Sequence, residues 1–347
     1  MSALKNSLIG AGLAGFRLTG LHHALAPLTR GRGAILAFHH VRPSQPRPFA
    51  PNLSLEITPE HLDAVLGHLR RRRIRIVPLD EIPSRLAAPA PERVAALTFD
   101  DGYCDTLDHA LPVLECHAAP FTVFVTTAFA ERTARLWWLD LEAAITKAER
   151  LEFTLEGQAQ SIPTRSPGAK GRAFATLAGR LRRSPPAGVA AVLDALGCDP
   201  AQALARVDRL CLDWDGIAQL AAHPLATVGC HTLTHPSLAA LDPADMRHEI
   251  SRARDIIAER LGQPVRHLAY PYGGVGAAGS REFAAAAELG FTTAVTTRPG
   301  VLRPRYLREA TALPRVSVNG LWPRLEMLDV LLSGAPFVAR DLLARVA

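Results

Sequence analysis

The sequence predicts an α/β protein in which parallel strands are covered by helices, either as an open sheet or as a barrel. Three observations lead there. Short apolar runs alternate with helical patterns over most of the chain, the rhythm of repeated βα units. A length of 347 residues, 48% hydrophobic and 21% charged, is an ordinary globular balance and suits one large α/β domain or two smaller ones. The alternation breaks only once, between about residues 131 and 215.

The elements follow in order. Residues 7–28 are fairly apolar but carry Arg17, His22 and His23. That fits neither the ~20 apolar residues of a membrane-spanning helix nor a cleavable leader. It reads as an amphipathic segment, spanning 1–33, that packs on the domain or touches a membrane surface. Ala34 to Phe38 reads as a strand, and residues 58–72 as a helix starting with a Thr58 cap and Pro59. The basic run Arg70 to Arg73 then sits at that helix's C-terminus, where the dipole favours cations. Val94 to Phe99 is a buried strand, followed by a helix through Ala110–Glu115 and a strand Phe121–Val125. In the interruption, Trp137-Trp138 opens a helix, Leu151–Gln160 looks like a hairpin, and 171–209 is helical and arginine-rich. This reads as an insertion of lid type rather than an independent domain. The alternation resumes with strand Thr227–Cys230, helix Asp242–Leu261, strand His267–Tyr270, helix Ser280–Leu289 and strand Phe291–Val295. Residues 34–320 thus form one domain with the insertion inside it, and 321–347 a helical tail.

Bulk properties exclude several classes. The net charge of +6 comes from scattered arginines, and no aromatic residues interleave with the basic run, so nucleic-acid binding is not expected. Five cysteines at irregular spacing form neither a disulfide framework nor a Cys-x-x-Cys pair. That favours a reducing compartment, and the expected location is cytoplasmic, with peripheral membrane contact through the N-terminal segment left open.

Three motifs carry chemistry. Thr98-Phe99-Asp100-Asp101-Gly102 puts two adjacent carboxylates at the end of an apolar strand. They are costly near a core unless a cation or a reaction requires them, and strand C-termini are where α/β sites assemble. His231-Thr232-Leu233-Thr234-His235 again follows a strand. Two imidazoles four residues apart are expected on one face of a helical turn, converging on a metal. With one Asp they make a three-ligand set with open positions, the pattern of a catalytic metal site. The third motif, Tyr270-Pro271-Tyr272-Gly273-Gly274, lets backbone approach a ligand closely and offers an N–H to an oxyanion.

Together, in this order, the motifs resemble the polysaccharide deacetylases (NodB homology, carbohydrate esterase family 4). Thr-Phe-Asp-Asp stands at 98–101 and His-Ser/Thr-x-x-His at 231–235. The resemblance covers about residues 34–130 and 225–318. It implies a distorted (β/α) barrel of about seven strands. It also implies Asp100 as general base, Asp101, His231 and His235 as ligands of a divalent metal (zinc first, with cobalt, nickel or iron as the other candidates), and the Tyr272 N–H as oxyanion donor.

Two departures from the family pattern stand out. The family often has an arginine in motif three that orients the catalytic Asp; Ala269 stands there instead. Arg315, in the strand-like Leu313-Pro314-Arg315-Val316, is the preferred substitute over Arg266. The late Leu-x-His that supplies the acid is also missing, since no histidine follows His267. A circularly permuted subgroup places that histidine after an early strand, and Phe38-His39-His40 looks similar. His39 is therefore the expected acid, with His40 as the alternative.

The implied reaction is hydrolysis of an N-acetyl group on an N-acetylglucosamine-type oligo- or polysaccharide, chitooligosaccharides included, with acetate released. Trp137, Trp138 or Tyr272 are candidates to stack on a sugar. Two other readings compete: a metal-free glycoside hydrolase, which would leave the two histidines without a role, and a non-catalytic carbohydrate-binding relative.

Overall fold

The computed structural model describes residues 3–89, 92–155 and 157–346. Seven parallel strands close into a barrel: β1 (Gly33–Phe38), β2 (Val94–Phe99), β3 (Phe121–Val125), β4 (Ala226–Cys230), β5 (His267–Ala269), β6 (Thr293–Pro299) and β7 (Leu313–Ser317). Neighbours pair in that order, and β1 closes the ring against both β2 (Ala37 beside Thr98) and β7 (Leu36 beside Val316). A two-residue strand, Arg75–Ile76, adds to the start of β2. The open-sheet alternative is thereby excluded.

Each strand sorts its side chains with period two. Ala34, Leu36 and Phe38 of β1, with Ala95, Leu97 and Phe99 of β2, join the core under the surrounding helices. Ile35, Ala96, Phe124, Ala269, Val295 and Leu313 fill the barrel interior. With both faces covered, the strands are apolar throughout rather than alternating. Gly229 of β4 has a spatial reason: a Cβ there would lie 2.5 Å from the Phe124 ring. The ring occupies the space that any larger residue would need.

The helix α3 (Pro59–Arg71) starts as expected, with the Thr58 hydroxyl accepting from the His61 N–H. The N-terminal segment is two helices, α1 (Ala3–Thr19) and α2 (Leu21–Thr29), because Gly20 adopts a left-handed conformation (φ 65°) between them. Among the described residues no helix is long and apolar enough to cross a membrane.

Between β3 and β4 lie α4 (Trp137–Lys147), an antiparallel hairpin (Arg150–Leu155 with Gln158–Pro163), and three helices spanning Pro167–Leu181, Pro186–Ala195 and Pro200–Leu210. They share a hydrophobic cluster of their own, including Trp138, Leu141, Phe174 and Leu193. That cluster takes in Tyr103 and Phe129 from the loops above β2 and β3, so the insertion is joined to the barrel mouth. After β4 come α5 (Pro243–Leu261) and, past β5, α6 (Ser280–Glu288); α7 (Leu325–Leu332) and α8 (Ala335–Val346) end the chain.

Candidate active site and metal centre

Strand parity delivers the first three side chains. The interior positions of β1 run Ile35, Ala37 and then His39; those of β2 run Ala96, Thr98 and then Asp100; those of β7 run Leu313 and then Arg315. Arg315 is 1% exposed and Asp100 2% exposed. The guanidinium grips the carboxylate with both hands, Nη1 to Oδ1 at 2.7 Å and Nη2 to Oδ2 at 2.6 Å. Two further donors go to the Thr98 hydroxyl and the Thr296 carbonyl. Burial pushes the Asp100 carboxyl up, but Arg315 more than offsets it and the pKa lies below the ordinary value. Asp100 is thus an ionised carboxylate in fixed orientation. Arg266, the other candidate, is exposed and precedes the first residue of β5, the end of the strand away from Asp100.

His39 is 20% exposed, and its Nε2 lies 3.8 Å from Asp100 Oδ2. Burial lowers its pKa, with Asp100 and Asp101 only partly opposing, so the ring is neutral near pH 7. His40 has the opposite parity and a different life. Its Nδ1 lies 2.6 Å from Asp105 Oδ2, and its ring stacks on Tyr103 with centroids 3.5 Å apart. That contact braces the loop after β2. His40 is 2% exposed and turned away from Asp100.

Asp101 leaves the strand in a left-handed conformation (φ 72°), followed by Gly102 (φ 67°). This turn sends neighbouring carboxylates to different partners. Asp101 Oδ1 lies 3.3 Å from Nε2 of His231 and 3.3 Å from Nε2 of His235. The three potential ligand atoms fall within 4.8 Å of one another, and all three residues are buried.

The histidines do not sit on a helical turn, as their spacing suggested. Residues 231–237 form an irregular loop with Thr232 (φ 65°) and His235 (φ 62°) in the left-handed region. The loop is held from outside by Glu249 of α5, which accepts from the N–H groups of Leu233 and Thr234 and from the Thr234 hydroxyl. The Thr232 hydroxyl accepts from the His235 N–H, so it shapes the loop rather than a ligand ring. Glu249 is a residue the motif reading missed. Its signal was present: a carboxylate on the same helical stripe as buried Met246, Ile250 and Ala253.

The set passes the tests for a divalent cation. Donor atoms bound at about 2.0–2.2 Å in tetrahedral or octahedral geometry stand about 2.8–3.6 Å apart, a range that holds the two 3.3 Å separations. The His231 Nδ1 lies 2.7 Å from the Ala269 carbonyl, a hydrogen bond that orients the ring and would leave the Nε2 lone pair to a bound cation. Among the described residues no Lys or Arg pairs with Asp101. Burial pushes its carboxyl up, yet the two imidazoles hold it well below the ordinary value.

Aromatic rings wall His235: Trp138 at 5.1 Å, Tyr272 at 4.9 Å and Phe129 at 5.8 Å between centroids. Trp137 and Trp138 are each 5% exposed, and the Trp137 indole N–H donates to the Tyr272 hydroxyl. The two tryptophans therefore support the site instead of offering a sugar platform. Tyr272 is half-buried, with a left-handed backbone (φ 60°), and its N–H makes no hydrogen bond among the described residues. That leaves it as a donor for a ligand.

Residues 87–294 match the polysaccharide deacetylase family. The chain belongs to it. The deacetylase is accordingly a hydrolase of amide bonds in carbohydrates, acting on acetylated polysaccharide. Among solved structures, it resembles the Streptococcus pyogenes deacetylase PplD in complex with acetate. Identity there is 17%, with 87% of this chain and 97% of that chain covered and a TM-score of 0.56. IcaB from Ammonifex degensii matches at 21% identity, covering 86% of this chain and 98% of the other, with a TM-score of 0.52. A polysaccharide deacetylase from Bacillus cereus matches at 14% identity over 86% and 68%, with a TM-score of 0.51. These likenesses show that the closed barrel is shared.

Proposed function

We propose that the protein is a metal-dependent N-deacetylase of N-acetylglucosamine-type oligo- or polysaccharide, and that Asp101, His231 and His235 hold its divalent ion, zinc by the chemistry of the donor set. The observation that carries this reading is the separation of duties between two adjacent aspartates, one clamped by Arg315 and the other facing two imidazoles. When bound, the ion supplies Lewis acidity to the acetamide carbonyl and lowers the pKa of a coordinated water.

The protein's own groups do the rest. Asp100, ionised and oriented, takes the proton of the attacking water; Arg315 occupies one lone-pair direction on each carboxylate oxygen and leaves others free. His39, neutral at rest and 3.8 Å away, conveys that proton to the departing nitrogen. The Tyr272 N–H stabilises the oxyanion as the carbonyl becomes tetrahedral. One proton thus moves from water to the departing nitrogen, and the acyl product leaves as acetic acid, which gives up water's other proton to become acetate. Arg315 also supplies the guanidinium that the alanine at 269 lacks, which favours a catalytic protein over a non-catalytic relative.

Acetate release from N-acetylglucosamine polymers, measured with and without chelator, tests the reading. Chelator-sensitive release restored by added zinc supports it. Undiminished release from metal-free protein overturns it.

A further inference from the structure

The flank of the barrel beside the terminal helices carries features that deacetylation does not use. The N-terminal and C-terminal helices pack together there. Thr29, which ends α2 and leads into the start of β1, donates its hydroxyl to the Ser333 carbonyl between α7 and α8. Helix α2 packs against α8. Arg303 reaches the Thr29 carbonyl from the segment after β6, and the Leu302 N–H donates to Gly33 at the first residue of β1.

This region concentrates exposed apolar side chains. Of the nine large hydrophobic residues left exposed among the described residues, six belong to it: Leu18 (76% exposed), Leu21 and Leu28 (84%) on α1 and α2, Leu307, and Leu342 and Leu343 (71%) on α8. A leucine at 84% exposure gains nothing from folding, and scattered single cases need no explanation, whereas a concentration on adjoining elements does.

The same region is strongly basic. A cleft of about 650 Å3 between α6, the 298–314 segment and α8 is lined by Arg298, Arg303, Arg305, Arg308 and Arg340, with Glu309 and Asp341 as its carboxylates. Asp341 is already paired with Arg340. Buried Nε of Arg298 has no hydrogen-bond partner. The first acidic residue of the whole chain is Glu56, so α1 and α2 carry Lys5, Arg17 and no carboxylate.

From this we infer that the terminal helices and the arginine cleft form one docking face for an anionic phospholipid surface, with the leucines entering the acyl boundary and the arginines taking lipid phosphates. Exposed leucines on short helices rimmed by arginine are the chemistry of interfacial adsorption.

The test uses the full chain and sedimentation with large unilamellar vesicles of phosphatidylcholine, with and without phosphatidylglycerol. Binding is expected only with phosphatidylglycerol present, and it should fall steeply with added salt. The Arg305→Ala/Arg308→Ala variant, altered at two exposed positions, should bind more weakly by roughly 25-fold, about five-fold per arginine. Leu18→Ser/Leu28→Ser should lose binding at low salt as well, while acetate release from a soluble oligosaccharide stays unchanged for both variants. Full-length protein left in the supernatant, or variants sedimenting like the wild type, overturns the inference. Inorganic phosphate at millimolar concentration forms a separate arm. Saturable phosphate binding without vesicle binding would assign the cleft to a free anion and likewise overturn the docking face. Vesicle binding is read independently of turnover, so it stands or falls apart from the deacetylase mechanism.

Discussion

Replacing Arg315 by methionine removes the cation from a buried pair. The carboxylate of Asp100 is 2% exposed and receives two charge-assisted hydrogen bonds from this side chain. Breaking a buried pair from one side costs about 3–5 kcal/mol, because the surviving charge is stranded. The sign of the pH dependence reverses as well. In the wild type the folded-state pKa of Asp100 lies below the unfolded one. The pair's contribution is therefore fully present above the unfolded pKa and lost as pH falls through the folded value. Without Arg315, only His231 and His39 oppose burial, and the folded pKa rises. The variant should then regain relative stability on acidification, and lose it as pH rises through the new value. Urea unfolding at several pH values measures this, and the acid limb of the kcat/KM profile should move to higher pH with it. Adding Asp100→Asn should recover part of the lost stability, since a neutral amide needs no counter-charge. A stability loss under about 1 kcal/mol at neutral pH, with an unmoved acid limb, would refute the reasoning.

Further outcomes follow from the same geometry. Asp100→Asn alone should retain bound metal and lose about 10²–10⁴-fold in turnover, checked by elemental analysis beside acetate release; parallel loss of metal would make Asp100 a ligand. His235→Ala should lose metal and activity together, because one of three protein donors is gone. His39→Ala and His40→Ala should separate cleanly. The first should lose turnover with little change in unfolding, and the second should lose about 1–3 kcal/mol of stability through its Asp105 hydrogen bond. Glu249→Ala should weaken metal affinity about 10–100-fold by loosening the loop that carries the ligands, read by competition with a chromophoric chelator.

Much of this site was legible in the residue order. The strands announced themselves as apolar runs because both faces are buried, and the paired aspartates marked the mouth of β2. Even the choice between His39 and His40 was available from strand parity. His39 continues the interior series of Ile35 and Ala37, while His40 continues the outer series of Leu36 and Phe38. The helical turn expected for His231 and His235 failed for a physical reason. Thr232 and His235 take left-handed backbones without glycine, a conformation made tolerable by Glu249 from a distant helix. No local pattern encodes that support. The tryptophan pair misled similarly. Large aromatic rings suggest sugar stacking, but the insertion folds over them and uses them to confine His235.

The closure of β1 against both β2 and β7 has a consequence for biosynthesis. Asp100 emerges from the ribosome long before Arg315, so its carboxylate enters a forming core with no counter-ion. Until the seventh strand docks, the ring has a gap beside the very carboxylate that the last strand is to neutralise. A nascent chain can therefore build its histidine loop and most of its hydrophobic interior and still lack an oriented base. Competence arrives in a single late event, when insertion of the last strand shuts the ring and sets the charge balance together.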